Sequence, residues 1–214
     1  MKEKPFDRFC RKCLGILCQN ILKYIWIGKI SGIENVPKKG PLILISNHVS
    51  YFDFLILGVL FEDILDRRLH FFAKQKVVEH PLFKYYAKYF QTLAIFENKP
   101  INQVWKMALN LLKHDRAIGI FPEGTRSRSG ALMPFKQGYL RLANAALAPV
   151  LPVYLTNTYK ILPPNKKLPR LEKSDIIIHT PIDFDKKQSK EGLRRMNQEV
   201  VNIYSLYKSR EKRV

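Results

Sequence analysis

His48 and Asp53, five positions apart in the run Asn47-His48-Val49-Ser50-Tyr51-Phe52-Asp53, are the residues of this chain best suited to moving a proton. A neutral imidazole takes a proton from an alcohol near pH 7, and a carboxylate on its other nitrogen fixes the tautomer and stabilises the imidazolium that forms. No serine or cysteine nucleophile is needed when the alcohol is itself the substrate. A second polar cluster, Phe121-Pro122-Glu123-Gly124-Thr125-Arg126-Ser127, stands further along the chain.

Each cluster follows an apolar run that reads as a buried strand, Leu42 to Ser46 for the first and Ala117 to Ile120 for the second. Strands ending in polar residues would bring both clusters to one edge of a sheet. A helix starting at Asp53 and running through Phe61 would set that carboxylate near free backbone N–H groups and close to His48, favouring the ionised form. Further strands are expected at Leu69 to Ala73, Leu93 to Phe96, Val150 to Leu155 and Asp175 to His179. Helices are expected at Pro81 to Phe90, Ile101 to Lys113, Gly138 to Ala146 and Ser189 to Lys208, the last with Leu193, Met196, Val200, Ile203 and Tyr207 on one face. Strands alternating with helices indicate an α/β layer architecture.

The two clusters resemble the signatures of the glycerolipid acyltransferase family, the PlsC-like lysophosphatidic acid acyltransferases, whose N-H-x-x-x-x-D and F-P-E-G-T-R-S blocks are both present without a substitution. Phe135-Lys136-Gln137-Gly138 is similar to the family's F-K-x-G segment, and Val150-Leu151-Pro152-Val153-Tyr154 to its late strand with a central proline. The resemblance covers roughly residues 30 to 160. One block departs. Where the family has a run closed by arginine, this chain reads Thr92-Leu93-Ala94-Ile95-Phe96-Glu97-Asn98, with Asn98 at the arginine position and Lys99 the nearest cation. That arginine helps hold the acceptor's phosphate in the family, so Asn98 bears on which acceptor is used and leaves acyl transfer untouched.

The resemblance implies a single-domain α/β glycerol-phosphate acyltransferase-like fold, a central mixed sheet flanked by helices, that moves a fatty acyl group from a thioester, acyl-coenzyme A or acyl carrier protein, to the sn-2 hydroxyl of 1-acyl-sn-glycerol-3-phosphate, giving phosphatidic acid. His48 would be the base and Asp53 its support, with direct transfer and no acyl-enzyme. Ser50 is the nearest candidate for a covalent nucleophile, and the resemblance assigns it no such role. Glu123, Gly124, Thr125 and Arg126 would bind the acceptor head group with Lys136 as a second phosphate contact. Gly124 permits close backbone approach, Thr125 offers a hydroxyl, and Arg126 a planar fork for phosphate oxygens. Glu123 would repel a phosphate, so it holds the acceptor's hydroxyl or braces Arg126. No cofactor and no metal are implied. The rival readings are another lysolipid acceptor, such as a lyso-ornithine lipid, and a basic peripheral lipid-binding protein with little turnover.

Charge and hydropathy set the surroundings. The 214 residues are 46% hydrophobic, enough for one domain with a sizeable core. Lys and Arg number 37 against 18 Asp and Glu, a formal charge of +19 that calls for an acidic partner or surface. No helix-turn-helix, zinc-finger or RNA-binding pattern appears, so nucleic acid is set aside in favour of an anionic membrane surface or an acidic carrier protein. Cys10, Cys13 and Cys18 lack the further ligands of a zinc site and read as reduced thiols. No cleavable signal is evident. The segment Leu14 to Ile30 is broken by Gln19, Asn20, Lys23 and Lys29, too polar to cross a bilayer. With Leu14, Leu17, Ile21, Tyr24, Ile25 and Gly28 at helical spacing it suits the interface, or else the core. The turn at Pro37-Lys38-Lys39-Gly40-Pro41 divides a membrane-associating segment, 1–36, from a catalytic domain, 37–214. The expected location is the cytoplasmic face of the cell membrane, peripheral or monotopic.

Overall fold

The computed structural model describes residues 20–74, 93–95, 101–164, 166 and 168–211. Cys10, Cys13, Cys18, the helix expected at Pro81 to Phe90, and Asn98 lie outside the described residues. Among those described, seven strands form one sheet: β1 (Ile27–Ser31), β2 (Leu42–Ser46), β3 (Leu69–Lys74), β4 (Leu93–Ile95), β5 (Ala117–Ile120), β6 (Val150–Leu155) and β7 (Ser174–Ile178). Their spatial order is β1-β7-β6-β2-β5-β3-β4, with β6 and β7 antiparallel and every other neighbouring pair parallel. The sheet is mixed, as the family resemblance implies.

β2 lies between β5 and β6, and all five of its residues are buried. A strand covered on both faces tolerates no polar alternation, which is why Leu42 to Ile45 is aliphatic throughout. Successive side chains still point to opposite faces. Leu42 and Leu44 join Phe52, Leu55 and Ile56 on one face of the sheet, while Ile43 and Ile45 join Leu112, Tyr139, Leu142 and Val200 on the other. The first face is covered by α2 (Phe52–Val59) and the π-helical turn Leu60–Ile64 that continues it. The second is covered by α3 (Ile101–Lys113), α4 (Gly138–Ala146) and α6 (Lys190–Glu211). A helical stretch, α1, occupies residues 20–26, and the short α5 (Thr158–Ile161) follows β6.

Pro152 brings no N–H to β6. Beside it, buried Tyr204 of α6 donates its hydroxyl to the Ile45 carbonyl at 2.7 Å and accepts the Val153 N–H at 3.1 Å. Burial pushes the Tyr204 phenol well above its ordinary pKa, so the hydroxyl stays a donor. The buried stripe of α6 therefore runs Leu193, Val200, Tyr204, whereas the apolar spacing alone predicted Ile203 and Tyr207, both only half-buried. At the end of the same helix Glu211 accepts from Tyr154 Oη, the Asn157 N–H and Lys208 Nζ at 2.7–2.8 Å.

One expectation is corrected. The helix predicted across Leu14 to Ile30 ends at residue 26, and Ile27–Ser31 is a strand in the sheet, paired in parallel with β7. Gly28 permits the pairing: a Cβ there would come within 2.2 Å of the Asp175 carboxylate, which accepts the Lys29 N–H at 2.8 Å. A partner 146 residues away outweighs helical spacing. The sheet thus begins inside the segment that the sequence sets apart as 1–36. No described helix is long and apolar enough to cross a membrane.

Candidate active site

The carboxyl ends of β2 and β5 lie side by side because the two strands are parallel neighbours, and the loops that leave them form one surface. Asn47 prolongs the β2–β6 ladder past its last residue. Its amide donates to the Leu155 carbonyl at 3.0 Å and accepts the Leu155 N–H at 2.9 Å. The backbone at His48 is thereby set before α2 begins.

Asp53, in the first turn of α2, is 0% exposed. Its Oδ2 accepts three hydrogen bonds, from Val49 N–H at 2.7 Å, Ser50 N–H at 2.8 Å and His48 Nδ1 at 2.8 Å. The carboxylate both builds the loop and orients the imidazole. With Nδ1 donating to Asp53, the imidazole carries its lone pair on Nε2. The His48 ring lies flat on Phe121, centroids 4.0 Å apart and planes 14° apart, and its side chain is 18% exposed. Phe121 in turn stacks on Phe71 at 5.9 Å. Ser50 is buried, donates Oγ to the Leu162 carbonyl at 2.9 Å and accepts the Phe52 N–H at 3.1 Å. A hydroxyl held this way is unavailable as a nucleophile.

Glu123 is placed differently from either sequence expectation. It is 2% exposed, and its two carboxylate oxygens accept the backbone N–H groups of His48 at 2.8 Å and Met133 at 3.1 Å. The carboxylate clasps the backbone of His48. Burial pushes its pKa from 4.5 up to about 7 against the lowering effect of the His48 and Met133 N–H groups. The native state therefore keeps a proton that the unfolded chain has released. Its contribution to stability is complete below pH 4.5 and is lost as pH rises through about 7. Across that window the loss is on the order of 3 kcal/mol. Glu123→Gln removes the titration, so urea unfolding followed from pH 4.5 to 7.5 should show a shallower fall in stability for the variant than for the wild type. Parallel slopes would refute this assignment. Because the amide turns an NH2 toward one of the two N–H groups, kcat should also drop by about tenfold while KM holds.

The remaining motif residues are drawn to the base by main-chain and ring contacts. Ser127 N–H donates to the His48 carbonyl at 2.8 Å, and the Arg126 guanidinium lies 3.7 Å above the centre of the Tyr51 ring, a cation–π contact between the two sequence clusters. Gly124 has φ 73° and closes a turn by donating its N–H to the Phe121 carbonyl at 3.0 Å. A Cβ at Gly124 would meet Lys136 Nζ at 2.9 Å, so the lysine amine rests directly on this glycine. Lys136 N–H donates to the Pro122 carbonyl at 2.9 Å, and Thr125 is exposed. His48, Asp53, Glu123, Gly124, Arg126 and Lys136 are thus connected into one constellation.

Beside it opens a cleft of about 400 Å³ lined by Arg126, Arg128, Tyr159 and Pro164. Tyr159 of α5 donates to the Arg128 carbonyl at 3.2 Å and packs against Gly130, where φ is 74° and a Cβ would strike the ring at 3.0 Å. Sequence reasoning passed over Tyr51, Phe121, Arg128 and Tyr159. Three of them stand inside or beside the two clusters, and only Tyr159 lies outside them. Among the described residues no group of three or more His, Cys, Asp and Glu is placed to hold a metal ion.

A carboxylate-oriented imidazole lies beside an arginine-lined cleft at the carboxyl edge of a mixed α/β sheet. The model describing the Acyltransferase family matches residues 28–156, and the chain belongs to that family. It is 32% identical over 186 residues to the chloroplastic 1-acyl-sn-glycerol-3-phosphate acyltransferase BAT2 of Brassica napus, covering 83% of this chain and 52% of that protein. It is 28% identical over 188 residues to the 1-acyl-sn-glycerol-3-phosphate acyltransferase of Bacillus subtilis, covering 85% of this chain and 90% of that one. The chain thus spans about half the length of the plant relative and most of the bacterial one. Its fold matches the crystal structure of the 1-acyl-sn-glycerophosphate acyltransferase PlsC from Thermotoga maritima with a TM-score of 0.71, at 28% identity, over 94% of this chain and 80% of that one.

Proposed function

We propose that this protein acylates the sn-2 hydroxyl of 1-acyl-sn-glycerol-3-phosphate from an acyl thioester, giving phosphatidic acid. The observation that carries the reading is the His48 imidazole, tethered at Nδ1 by buried Asp53 and stacked on Phe121 next to the Arg126 cleft. His48 Nε2 takes the acceptor's hydroxyl proton as that oxygen bonds to the thioester carbonyl carbon. The C–S bond then breaks, and the imidazolium returns the proton to the departing thiolate. Asp53 Oδ2 stabilises the imidazolium between those events. The guanidinium of Arg126, held over Tyr51, and the Lys136 amine receive the acceptor phosphate. The relatives' names support this acceptor.

The donor is acyl-coenzyme A or acyl carrier protein, each acidic and suited to a chain of formal charge +19. No cofactor enters the reaction. The protein works at the cytoplasmic face of the cell membrane as a peripheral or monotopic enzyme, with the part of residues 1–36 that precedes β1 as its membrane-associating segment. In support, Ile21, Tyr24 and Ile25 of α1 are exposed.

Asn98, at the family's arginine position, favours a second reading in which the acceptor is another lysolipid such as a lyso-ornithine lipid. Free-thiol release from a long-chain acyl thioester, measured with a panel of lysolipids, separates the two. Release with 1-acylglycerol-3-phosphate exceeding that with every other acceptor by about tenfold or more is expected, as one bidentate phosphate contact would give. Release with a different lysolipid alone would replace phosphatidic acid synthesis with the second reading, and silence with all would leave a lipid-binding protein.

A further inference from the structure

Leu168 and Leu171 are 81% and 82% exposed, more than any other large apolar side chain among the described residues. Both stand on the loop that joins α5 to β7, and that loop is tethered. Arg170 N–H donates to the Ile161 carbonyl at 2.8 Å, the Trp26 indole N–H donates to the Arg170 carbonyl at 2.8 Å, and Lys166 N–H donates to the Pro163 carbonyl at 3.0 Å. The leucines thus flank a residue whose backbone is fixed on both sides. A lone exposed leucine is ordinary, but two within four residues on an anchored loop form a deliberate apolar tip. Around it Lys160, Lys166, Arg170 and Lys173 are all exposed, against two exposed acids, Glu172 and Asp175, the second of which accepts the Lys29 N–H.

The position of the loop joins this tip to the site. Pro164 of the same loop lines the cleft with Arg126, Arg128 and Tyr159. Trp26, which receives the loop at Arg170, also packs edge-on against Phe52 of α2 at 5.2 Å and ends α1, whose Ile21, Tyr24 and Ile25 are exposed. We propose that the loop between α5 and β7 is a membrane-dipping loop: Leu168 and Leu171 enter the acyl-chain boundary of an anionic bilayer while Lys166, Arg170 and Lys173 sit among lipid phosphates. This depth sets the mouth of the Arg126 cleft level with the head group of a lysolipid still embedded by its chain. Apolar tips ringed by cations suit that surface better than an acidic protein, which would pair the cations and leave the leucines bare. The inference rests on the reading that the acceptor is a lysolipid.

The test uses the purified full chain with vesicles of phosphatidylcholine alone and of phosphatidylcholine with phosphatidylglycerol. Leu168→Ser with Leu171→Ser should weaken partition onto the mixed vesicles by about tenfold or more. Arg170→Gln with Lys173→Gln should weaken it on the mixed vesicles and leave the neutral ones unchanged. Both pairs should retain wild-type turnover of a short-chain, water-soluble lysophosphatidate, because neither touches the site. In Leu168→Trp, emission quenched by bromine-labelled acyl chains beyond the quenching of the wild type would place the loop tip in the bilayer directly. Wild-type partition by the serine pair, no added quenching in Leu168→Trp, or loss of turnover on an acyl-carrier-protein donor with vesicle binding intact would each overturn the proposal. A wild type that transfers no acyl group to any acceptor would sink the catalytic reading, whereas partition and quenching would still report on the loop.

Discussion

His48→Ala is expected to lower kcat by a factor on the order of 10³ while leaving KM for the thioester and the thermal midpoint near their wild-type values. The geometry separates these quantities. In the proposed reaction the imidazole acts only through Nε2, and the tethers that shape its loop act on backbone atoms: Glu123 on the His48 N–H, Ser127 on the His48 carbonyl, and Asp53 on the Val49 and Ser50 N–H groups. Removing the ring leaves all of these in place. It also leaves a slot against Phe121, where the imidazole lay 4.0 Å from the phenyl centroid. Added free imidazole should therefore restore part of the thiol release in the variant. More than a tenth of wild-type turnover in His48→Ala, without added imidazole, would show that another group accepts the proton.

Asp53→Asn should cost somewhat less, about 10²-fold in kcat, and for a different reason. All three hydrogen bonds to Asp53 converge on Oδ2. An amide placed with its oxygen at that position can still accept the Val49 and Ser50 N–H groups and hold His48 in its working tautomer. What it loses is the negative charge opposite the imidazolium that forms as the acceptor attacks. Asp53→Ala is the contrasting variant. It strands two backbone N–H groups beneath a side chain with no exposure and should lose about 2–4 kcal/mol of stability as well as activity. Urea unfolding of the two variants beside their steady-state kinetics checks the distinction. Equal destabilisation by Asn and Ala would mean that the charge, rather than the acceptor geometry, holds the loop.

Both predictions concern residues that stand out in the linear chain, because their chemistry and spacing are local. The aliphatic runs Leu42–Ser46 and Ala117–Ile120, the helix Ile101–Lys113 and the helix Gly138–Ala146 were equally legible and formed as their periodicity predicts. Burial period and turn chemistry act over a few residues and need no distant partner. Glu123 shows where that reasoning stops. A carboxylate beside an arginine suggests an ion pair, and its partners are instead the N–H groups of His48 and Met133, reached only because β2 and β5 end at the same edge of the sheet. Arg126 likewise rests on Tyr51, a ring contributed by the other cluster.

What the sequence determined by itself was therefore the pair His48 and Asp53, the residue types of the cluster from Glu123 to Arg126, and the alternation that makes an α/β sheet. Tertiary structure alone decided the rest. Ile27–Ser31 became an edge strand because β7 offered a ladder and the Asp175 carboxylate, accommodated beside Gly28, accepts the Lys29 N–H. Tyr204 became a core residue because α6 crosses where its hydroxyl reaches the Ile45 carbonyl and the Val153 N–H. Helical and strand periods are written into neighbouring residues, whereas these choices depend on which backbone groups lie unpaired more than a hundred residues away or on the far side of the sheet.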